Sequence, residues 1–144
     1  MHDKIINKAR EILTQRLYHS ESLLSPKDTE SFLALKLGER EQEVFSVIFL
    51  NNLNQVIQYQ EMFFGTIRET SVYPREIARK ALKLNAAAII CSHNHPSGNP
   101  EPSNADRAIT DRIREAMGLV EVQLLDHIVV GGGKTVSFAE RGWL

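Results

Sequence analysis

Residues 86–119 read AAAIICSHNHPSGNPEPSNADRAITDRIREAMGL, and they predict a strand, a loop and a helix in that order. The apolar run at 86–91 predicts a buried strand over 86–92, and the three prolines that follow it mark a loop. The pattern over 103–117 predicts a helix. Strands and helices go on alternating around this stretch, which indicates an α/β sandwich with a mixed sheet.

The flanking sequence predicts the remaining elements of this sandwich. Apolar residues at helical spacing over 3–18, Leu17 among them, predict a first helix. Ser25 and Pro26 are typical of an N-cap and a first-turn proline, and they open a second helix that ends near Gly38. Further elements are expected as strands at 44–50, 55–64, 120–130 and 135–138, a helix at 74–84 and a glycine turn at 131–133.

The composition is that of one soluble globular domain. The chain has 144 residues, 42% hydrophobic and 24% charged, which excludes a disordered or fibrous protein. The formal net charge is −1, so the overall charge does not favour binding to a polyanion. A single cysteine excludes an intramolecular disulfide and a multi-cysteine zinc cage. Because the amino terminus lacks the apolar stretch of a signal peptide, and the run at 86–91 is too short to cross a bilayer, we expect a cytoplasmic protein without membrane contact.

Two histidines and an aspartate in the first stretch are candidate metal ligands. Pro96 disfavours helical backbone at His95, so we expect an extended segment there. Residues i and i+2 of an extended segment project to the same side, which brings the imidazoles of His93 and His95 to one point. If Ser103 caps the next helix, Asp106 is its third residue and its side chain leans back toward the histidines. Two neutral imidazoles and one carboxylate form the open three-ligand zinc site typical of hydrolases.

Each part of this pattern also has a plain structural interpretation. The segment from Ser103 to Asp106 resembles a capping box with Asp in place of the usual Glu, and capping alone would explain both residues. A His-x-His pair in a loop is by itself more often an exposed polar pair than a metal site. The combination favours a metal site, because the histidines end a buried strand and the aspartate opens the very next helix.

The wider sequence resembles a known family. The string His93-x-His95-Pro96, followed by Ser103-x-x-Asp106, is similar to the JAMM (MPN⁺) metalloprotease signature. Over roughly residues 40–144 the chain resembles the RadC family, through the segments Phe64-Gly65-Thr66, Pro74-Arg75-Glu76, His93-Asn94-His95-Pro96-Ser97-Gly98 and Leu125-Asp126-His127. The resemblance implies an α/β MPN (JAB) fold, cytidine deaminase-like, with a mixed sheet sandwiched by helices. Full-length RadC proteins carry an amino-terminal helix-hairpin-helix region, and residues 1–39 are too short to hold all of it, so we expect a short, stand-alone form with an N-terminal helical segment.

The same resemblance implies the chemistry of the site. It implies one zinc ion per chain, held by His93, His95 and Asp106. It also implies that Ser103 steadies a tetrahedral oxyanion, and that a glutamate on an upstream strand activates the attacking water.

That glutamate is one of three that precede the strand at 44–50. Glu39, Glu41 and Glu43 would all lie on the same side if the segment is already extended there. Glu43 directly precedes Val44-Phe45 and matches the Glu-x-Phe pattern of the family, so we favour it over Glu41. The alternative interpretation is a solvated charged turn in which Glu43 caps the end of the strand.

Other residues are weaker candidates. Cys91 lies in a buried strand and is interpreted as a small core residue rather than a nucleophile or ligand. Asp126 and His127 lie in an apolar strand and are interpreted as structural, with a hydrogen-bonded pair that supports the site as the alternative. One basic stripe on the helix at 74–84 is usually a solvated helix face, although it could contact an acidic partner or a phosphate: Arg75, Arg79 and Lys83.

The sequence therefore favours a zinc-dependent metallopeptidase-like hydrolase of peptide or isopeptide bonds, with a peptide or protein as its partner. The alternative is an accessory DNA-repair or DNA-metabolism protein of RadC type that binds or cleaves nucleic acid. With 17 basic and 18 acidic side chains the charge does not support that alternative. A third hypothesis is a scaffold with an intact but unused site. An oligomer is also open, because the first helix could pack internally or against a partner chain.

Overall fold

A five-stranded sheet with helices on both faces forms the part of the chain that the computed structural model describes, residues 2–19, 25–65 and 72–144. In chain order the elements are α1 (His2–His19), α2 (Pro26–Leu37), β1 (Val44–Leu50), β2 (Val56–Phe64), α3 (Pro74–Lys83), β3 (Ala88–Asn94), α4 (Asn104–Leu119), β4 (Gln123–Gly131) and β5 (Lys134–Ser137). Each helix and strand expected from the sequence is present, so the α/β fold with a mixed sheet is confirmed. The side chain of Leu17 and the position of Thr66 lie outside the described residues.

The strand order brings the end of one strand beside the start of one helix. The strands lie in the order β2-β1-β3-β4-β5, and within this sheet β3 and β4 run parallel while the other neighbours are antiparallel. Two parallel neighbours need a crossover connection, and α4 is that crossover. The chain leaves the carboxyl end of β3, passes through residues 95–103 and enters α4. The last residues of β3 therefore lie beside the first turn of α4.

Side chains of the strands alternate between two hydrophobic cores. On one face the strands pack against α3 and α4, with Phe45 and Phe49 among the buried residues. On the other face they pack against α2, which contributes Phe32 and Leu37, and α1 packs on α2 in turn. None of the described helices is both long and apolar enough to span a bilayer. The division of the chain between residues 39 and 40 stays a prediction.

A β-bulge in β4 changes which side chains face α4. The pairing with β3 skips Leu125, because Leu124 and Asp126 lie opposite consecutive residues of β3. Leu124 packs in the core on the α4 face, whereas Leu125 packs in the core on the α2 face. The extra residue shifts the alternation, so that His127 rather than Asp126 points toward α4.

Two strands differ from the sequence prediction by two residues or more at one end or both. β3 covers Ala88–Asn94 rather than 86–92, and it therefore includes His93. β4 begins at Gln123 rather than at 120, because α4 continues further than expected and Glu121, with a φ of 60°, then turns the chain.

Candidate metal centre

The two histidines meet at the carboxyl end of β3. His93 lies within the strand, and the backbone N–H of His95 donates to the carbonyl oxygen of Val130 at 2.8 Å, which keeps the chain extended. The Nε2 atoms of the two imidazoles are 3.1 Å apart, as the i, i+2 spacing predicts. Nδ1 of His95 lies 2.8 Å from the carbonyl oxygen of Asn99. Since a carbonyl oxygen can only accept a hydrogen bond, Nδ1 of His95 carries the proton, and Nε2 of the neutral ring carries a lone pair.

Asp106 lies in the first turn of α4 and faces both imidazoles. Its Oδ1 is 3.2 Å from Nε2 of His93, and its Oδ2 is 3.0 Å from Nε2 of His95. The same residue closes a capping box with Ser103, whose N–H donates to Oδ2 at 2.8 Å and whose Oγ accepts from the N–H of Asp106 at 3.0 Å. Capping and metal ligation are therefore compatible, because the cap aims the carboxylate at the histidines.

The electrostatics of this cluster favour a bound cation. Burial alone would raise the pKa of the Asp106 carboxyl, but the hydrogen bonds from His93 and His95 outweigh burial and hold that pKa below its usual range. The hydrogen bond to Asp106 in turn raises the pKa of His95. With both rings neutral, two nitrogen lone pairs and a carboxylate face one point, and such an arrangement calls for a proton or a metal ion between them.

The donor set fits a zinc ion. Zinc takes imidazole nitrogen and carboxylate oxygen at about 2.0 Å, so neighbouring donors of a tetrahedral site are about 3.3 Å apart. The three pairs of donor residues here are 3.0–3.2 Å apart. The side chains of His93 and Asp106 are 0% and 2% exposed, whereas that of His95 is 17% exposed, so the cluster opens to solvent at His95. In zinc proteins of known function, catalytic sites keep an open coordination position, whereas structural sites are closed by their ligands.

Glu43 joins this cluster from the segment that precedes β1. Its carboxylate and the ring nitrogens of His93 and His95 all lie within 4.8 Å of one another. Residues 38–42 form turns and bends rather than a strand, so the expected alignment of three glutamates on one side of an extended segment does not apply. Glu43 is partly buried, whereas Glu41 and the glutamate before it are exposed. The role of Glu43 as a base stays a prediction.

Ser103 is exposed at the N-cap of α4, next to Asp106. Because its hydroxyl oxygen accepts from the N–H of Asp106, the hydroxyl proton can be donated to another acceptor. This orientation is compatible with the donor role that the family resemblance implies, and that role stays a prediction.

Two further side chains, those of His127 and Thr110, form a chain of contacts that begins at Nδ1 of His93. Nδ1 of His93 is 2.7 Å from Nε2 of His127, and Nδ1 of His127 is 2.5 Å from Oγ1 of Thr110. Oγ1 of Thr110 donates to the backbone carbonyl of Asp106 at 2.7 Å. Burial, followed by the neighbouring His93, lowers the pKa of His127 well below its usual value, so that its ring is neutral. Sequence reasoning misses Thr110, although its position four residues after Asp106 on the same helix is a signal that could have found it.

Asp126 does not share this role with its neighbour in sequence. Its carboxylate accepts from the backbone N–H groups of His127 and Ala139 at 2.7 and 3.0 Å and from the hydroxyl of Ser137 at 2.6 Å. These bonds fasten β4 to β5 and to the turn that follows it. The structural interpretation therefore applies to Asp126, and the interpretation as support for the site applies to His127.

Cys91 and the basic stripe of α3 lie apart from the cluster. Cys91 is fully buried in the core, and burial raises the pKa of its thiol. The side chains of Arg75 and Arg79 are 84% and 81% exposed, and carboxylate oxygens of Glu76 lie 3.9 and 3.7 Å from them. Cys91 is thus a core residue, and the stripe is a solvated helix face.

The glycine turn between β4 and β5 packs against the loop that follows the histidines. A Cβ on Gly132 would clash with the carbonyl oxygen of Gly98, and one on Gly131 would lie 2.7 Å from the nitrogen of Pro100. Only glycine allows this close approach. The sequence predicts the turn but not the contact, which braces the loop that carries His95.

Known proteins similar to this chain identify its family. A family model for the RadC-like JAB domain matches residues 23–143. A UPF0758 protein of Vibrio cholerae serotype O1 is 50% identical over 141 residues, which cover 98% of this chain and 89% of that protein. UPF0758 proteins of Chromobacterium violaceum and Aeromonas hydrophila are 52% and 50% identical over 94% and 97% of this chain, which spans 61% and 62% of their own lengths. Because the family match runs from before α2 to beyond β5 and includes all the residues of the candidate metal site, the chain belongs to the RadC family and carries a RadC-like JAB domain.

Proposed function

We propose that the chain is a zinc-dependent hydrolase of peptide or isopeptide bonds, of the JAMM type. The observation that carries the proposal is the meeting of a second carboxylate, that of Glu43, with the imidazoles of His93 and His95, which Asp106 also contacts. A purely structural zinc site is closed by its ligands, whereas a hydrolase needs an open side and a base beside it.

The two carboxylates have different surroundings, which supports different roles. Asp106 is 2% exposed, is fixed by the helix cap and contacts both imidazoles, so we assign it as the third metal ligand. Glu43 is less buried and lies on an irregular segment, so we assign it as the general base. A base must be able to contact water and substrate, and its exposure provides for that.

In this proposal each residue has one task. His93, His95 and Asp106 would hold a zinc ion, which would supply Lewis acidity for a scissile carbonyl and would lower the pKa of water to about 7. Glu43 takes the proton of the attacking water and later passes it to the leaving amine. Ser103 donates its hydroxyl proton to the developing oxyanion.

The charge distribution supports a peptide or protein substrate over a nucleic acid. The formal net charge is −1, and the basic stripe on α3 has Glu76 between its arginines. Binding to a nucleic acid depends on many uncompensated basic contacts with phosphates.

A peptide-library cleavage assay tests the proposal. Zinc-loaded protein is compared with chelator-treated protein, and Glu43→Gln is compared with the matched variant Glu41→Gln, which changes an exposed glutamate two residues away. We expect zinc-dependent cleavage that falls at least about a hundredfold in Glu43→Gln, the usual scale for loss of a general base. Glu41→Gln should cleave normally, and both variants should retain zinc.

Three results would contradict these assignments. Absence of cleavage by the zinc-loaded protein across peptide and isopeptide substrates would overturn the hydrolase. Loss of zinc in Glu43→Gln would make Glu43 a ligand rather than a base. Loss of activity in Glu41→Gln alone would move the base by two residues.

A further inference from the structure

The residue between the two histidines has a buried side chain on the opposite face of β3. Successive residues of a strand point to opposite faces, so Asn94 points away from the point where His93 and His95 meet. Asn94 is 2% exposed, and the hydrogen bonds of its side-chain amide all go to one short segment of backbone. Its Oδ1 accepts from the N–H of Val44 at 2.7 Å. Its Nδ2 donates to the carbonyl oxygens of Arg40 and Gln42 at 3.3 and 3.1 Å.

The orientation of this amide follows from its partners. A backbone N–H needs an acceptor, and two carbonyl oxygens need a donor, so the oxygen of Asn94 faces Val44 and its NH₂ group faces Arg40 and Gln42. Among the twenty side chains only Asn and Gln offer an acceptor and two donors on one planar group. Gln would be one methylene too long for the same site.

The segment held by these bonds is the one that carries Glu43. Residues 38–42 are turns and bends, so they lack the regular ladder that fixes β1. The three hydrogen bonds of Asn94 reach the residues immediately before and after Glu43, and also Arg40, which lies two residues further upstream. Two other contacts tie the segment to β2 and its end: the carbonyl oxygen of Glu43 accepts from the N–H of Gly65 at 2.8 Å, and Arg40 pairs with Glu61 at 2.8 Å.

We propose that Asn94 is a positioning residue that holds Glu43 beside the two imidazoles, an inference that rests on the proposed function of Glu43. The tripeptide 93–95 then positions both the two imidazoles and the base. Its first and third residues present the imidazoles on one face, and its middle residue fixes the base from the other face. A shift of about 1 Å in a reacting group can lower a rate by about a hundredfold, so the position of the base matters as much as its presence.

A positioning role for Asn94 and a purely structural role have different consequences. A structural role predicts lower stability with no selective effect on the site. A positioning role predicts that zinc binding survives, because none of the metal ligands changes, while the segment around Glu43 loosens and turnover falls.

Asn94→Asp tests this with little change in shape. The variant keeps an acceptor for the N–H of Val44 but places a second oxygen against the carbonyl groups of Arg40 and Gln42. Asn94→Ser is the second variant, since its small hydroxyl cannot reach both sides and avoids a buried charge. The matched control is Asn51→Asp, because Asn51 also bonds to backbone, at Leu53 and Gln55, but at the opposite end of β1, about 20 Å away.

Three measurements are made on each variant: zinc content, amide hydrogen exchange and steady-state kinetics. For Asn94→Asp and Asn94→Ser we expect one zinc per chain and kcat about 10- to 100-fold lower at an unaltered KM. In Asn94→Ser, which removes the acceptor for the N–H of Val44, exchange at Val44 should be at least about tenfold faster with the rest of β1 unchanged. Asn51→Asp should change neither the exchange at Val44 nor kcat.

The exchange measurement needs no activity, so it separates this proposal from the proposed hydrolase. Unchanged exchange at Val44 in Asn94→Ser overturns the positioning role, whether or not the wild-type protein cleaves peptides. Loss of zinc in these variants also overturns it, because Asn94 would then support the ligands rather than Glu43. Faster exchange with an unaltered kcat in an active protein overturns it as well.

Discussion

Nδ1 of His93 lies 2.7 Å from Nε2 of His127, and both imidazoles are fully buried. The partners of His127 determine which of the two nitrogens carries the proton. Thr110 has one hydroxyl proton and donates it to the carbonyl oxygen of Asp106, so its oxygen accepts from Nδ1–H of His127. Nε2 of the neutral His127 ring then accepts from Nδ1–H of His93. This leaves Nε2 of His93 as a lone pair directed at the metal cluster.

Removal of the Thr110 hydroxyl should therefore weaken metal binding. Thr110→Val has nearly the same shape but can neither accept from His127 nor donate to Asp106. We expect the zinc affinity to fall about 10- to 100-fold, the usual effect of losing a hydrogen bond behind a ligand, as measured by competition with a chromophoric chelator. Thr110→Ser keeps the hydroxyl and should bind zinc nearly as well as the wild type. Equal zinc affinity of Thr110→Val and the wild type would show that the hydrogen bonds from Thr110 through His127 do not fix the protonation of His93.

The two roles of Asp106 can be separated by a pair of variants. Asp106→Asn retains an oxygen that can accept from the N–H of Ser103, so the helix cap persists while the ligand charge is lost. We expect Asp106→Asn to lose most of its zinc with little change in the stability of the metal-free protein. Ser103→Ala should do the reverse, with zinc retained and unfolding easier by about 1 kcal/mol. Elemental analysis and denaturant unfolding measure the two effects, and full zinc retention in Asp106→Asn would remove Asp106 from the ligand set.

Local sequence rules were sufficient to predict that His93, His95 and Asp106 meet, but not which side chains surround them. The i, i+2 spacing of His93 and His95 and the third helical position of Asp106 follow from the geometry of one strand and one helix, and a single crossover joins them. The contact of His93 with His127 depends instead on the bulge at Leu125, which shifts the alternation of β4. No pattern within β4 itself shows where its pairing with β3 skips a residue.

The conformation of the segment before β1 could not be predicted from local sequence patterns either. Alternation could not single out Glu43, because residues 38–42 are not extended. The bonds that fix this segment come from Asn94, fifty residues away along the chain. Side-chain bonds over such a separation arise from the tertiary fold, and one sequence gives no sign of them.

A partly buried carboxylate on α2, that of Glu30, should make stability depend on pH. Glu30 lines a cavity of about 640 Å³ between α2 and the strands β4 and β5. Burial raises the pKa of Glu30, and the nearby Glu140 and Asp126 raise it further. An acid with a raised folded-state pKa binds its proton more tightly in the folded protein. Its contribution to stability is therefore greatest below the unfolded pKa and falls as the pH rises through the folded pKa.

Glu30→Gln should remove this dependence. We expect the variant to unfold at a higher temperature than the wild type at pH 7–8, with the difference vanishing toward pH 4, as measured by thermal unfolding of the metal-free protein. Glu115→Gln, a change at an exposed position of α4, is the control and should not show this trend. A constant difference between Glu30→Gln and the wild type at all pH values would contradict the ionisation of Glu30 as its cause.

The charge on α3 limits what a nucleic acid could contact. Arg75 and Arg79 are exposed, but Glu76 lies 3.7–3.9 Å from both and offsets part of their charge. With Lys83 the stripe offers at most three basic groups to phosphates. The affinity for duplex DNA falls with salt at a slope of about −0.9 per phosphate neutralised, so few contacts mean weak binding with a shallow slope.

We expect the protein to bind duplex DNA no more tightly than about 10⁻⁴ M at physiological salt, with a salt slope no steeper than about −3. Fluorescence anisotropy over a salt series measures both quantities. Any residual binding should weaken when Arg75, Arg79 and Lys83 are replaced together by Gln, whereas Lys8→Gln on α1 should have a smaller effect because it removes a single contact. Submicromolar affinity near 150 mM salt, or metal-dependent nicking that Asp106→Ala abolishes, would place a nuclease ahead of the peptidase, because the same ligands could then serve phosphodiester cleavage.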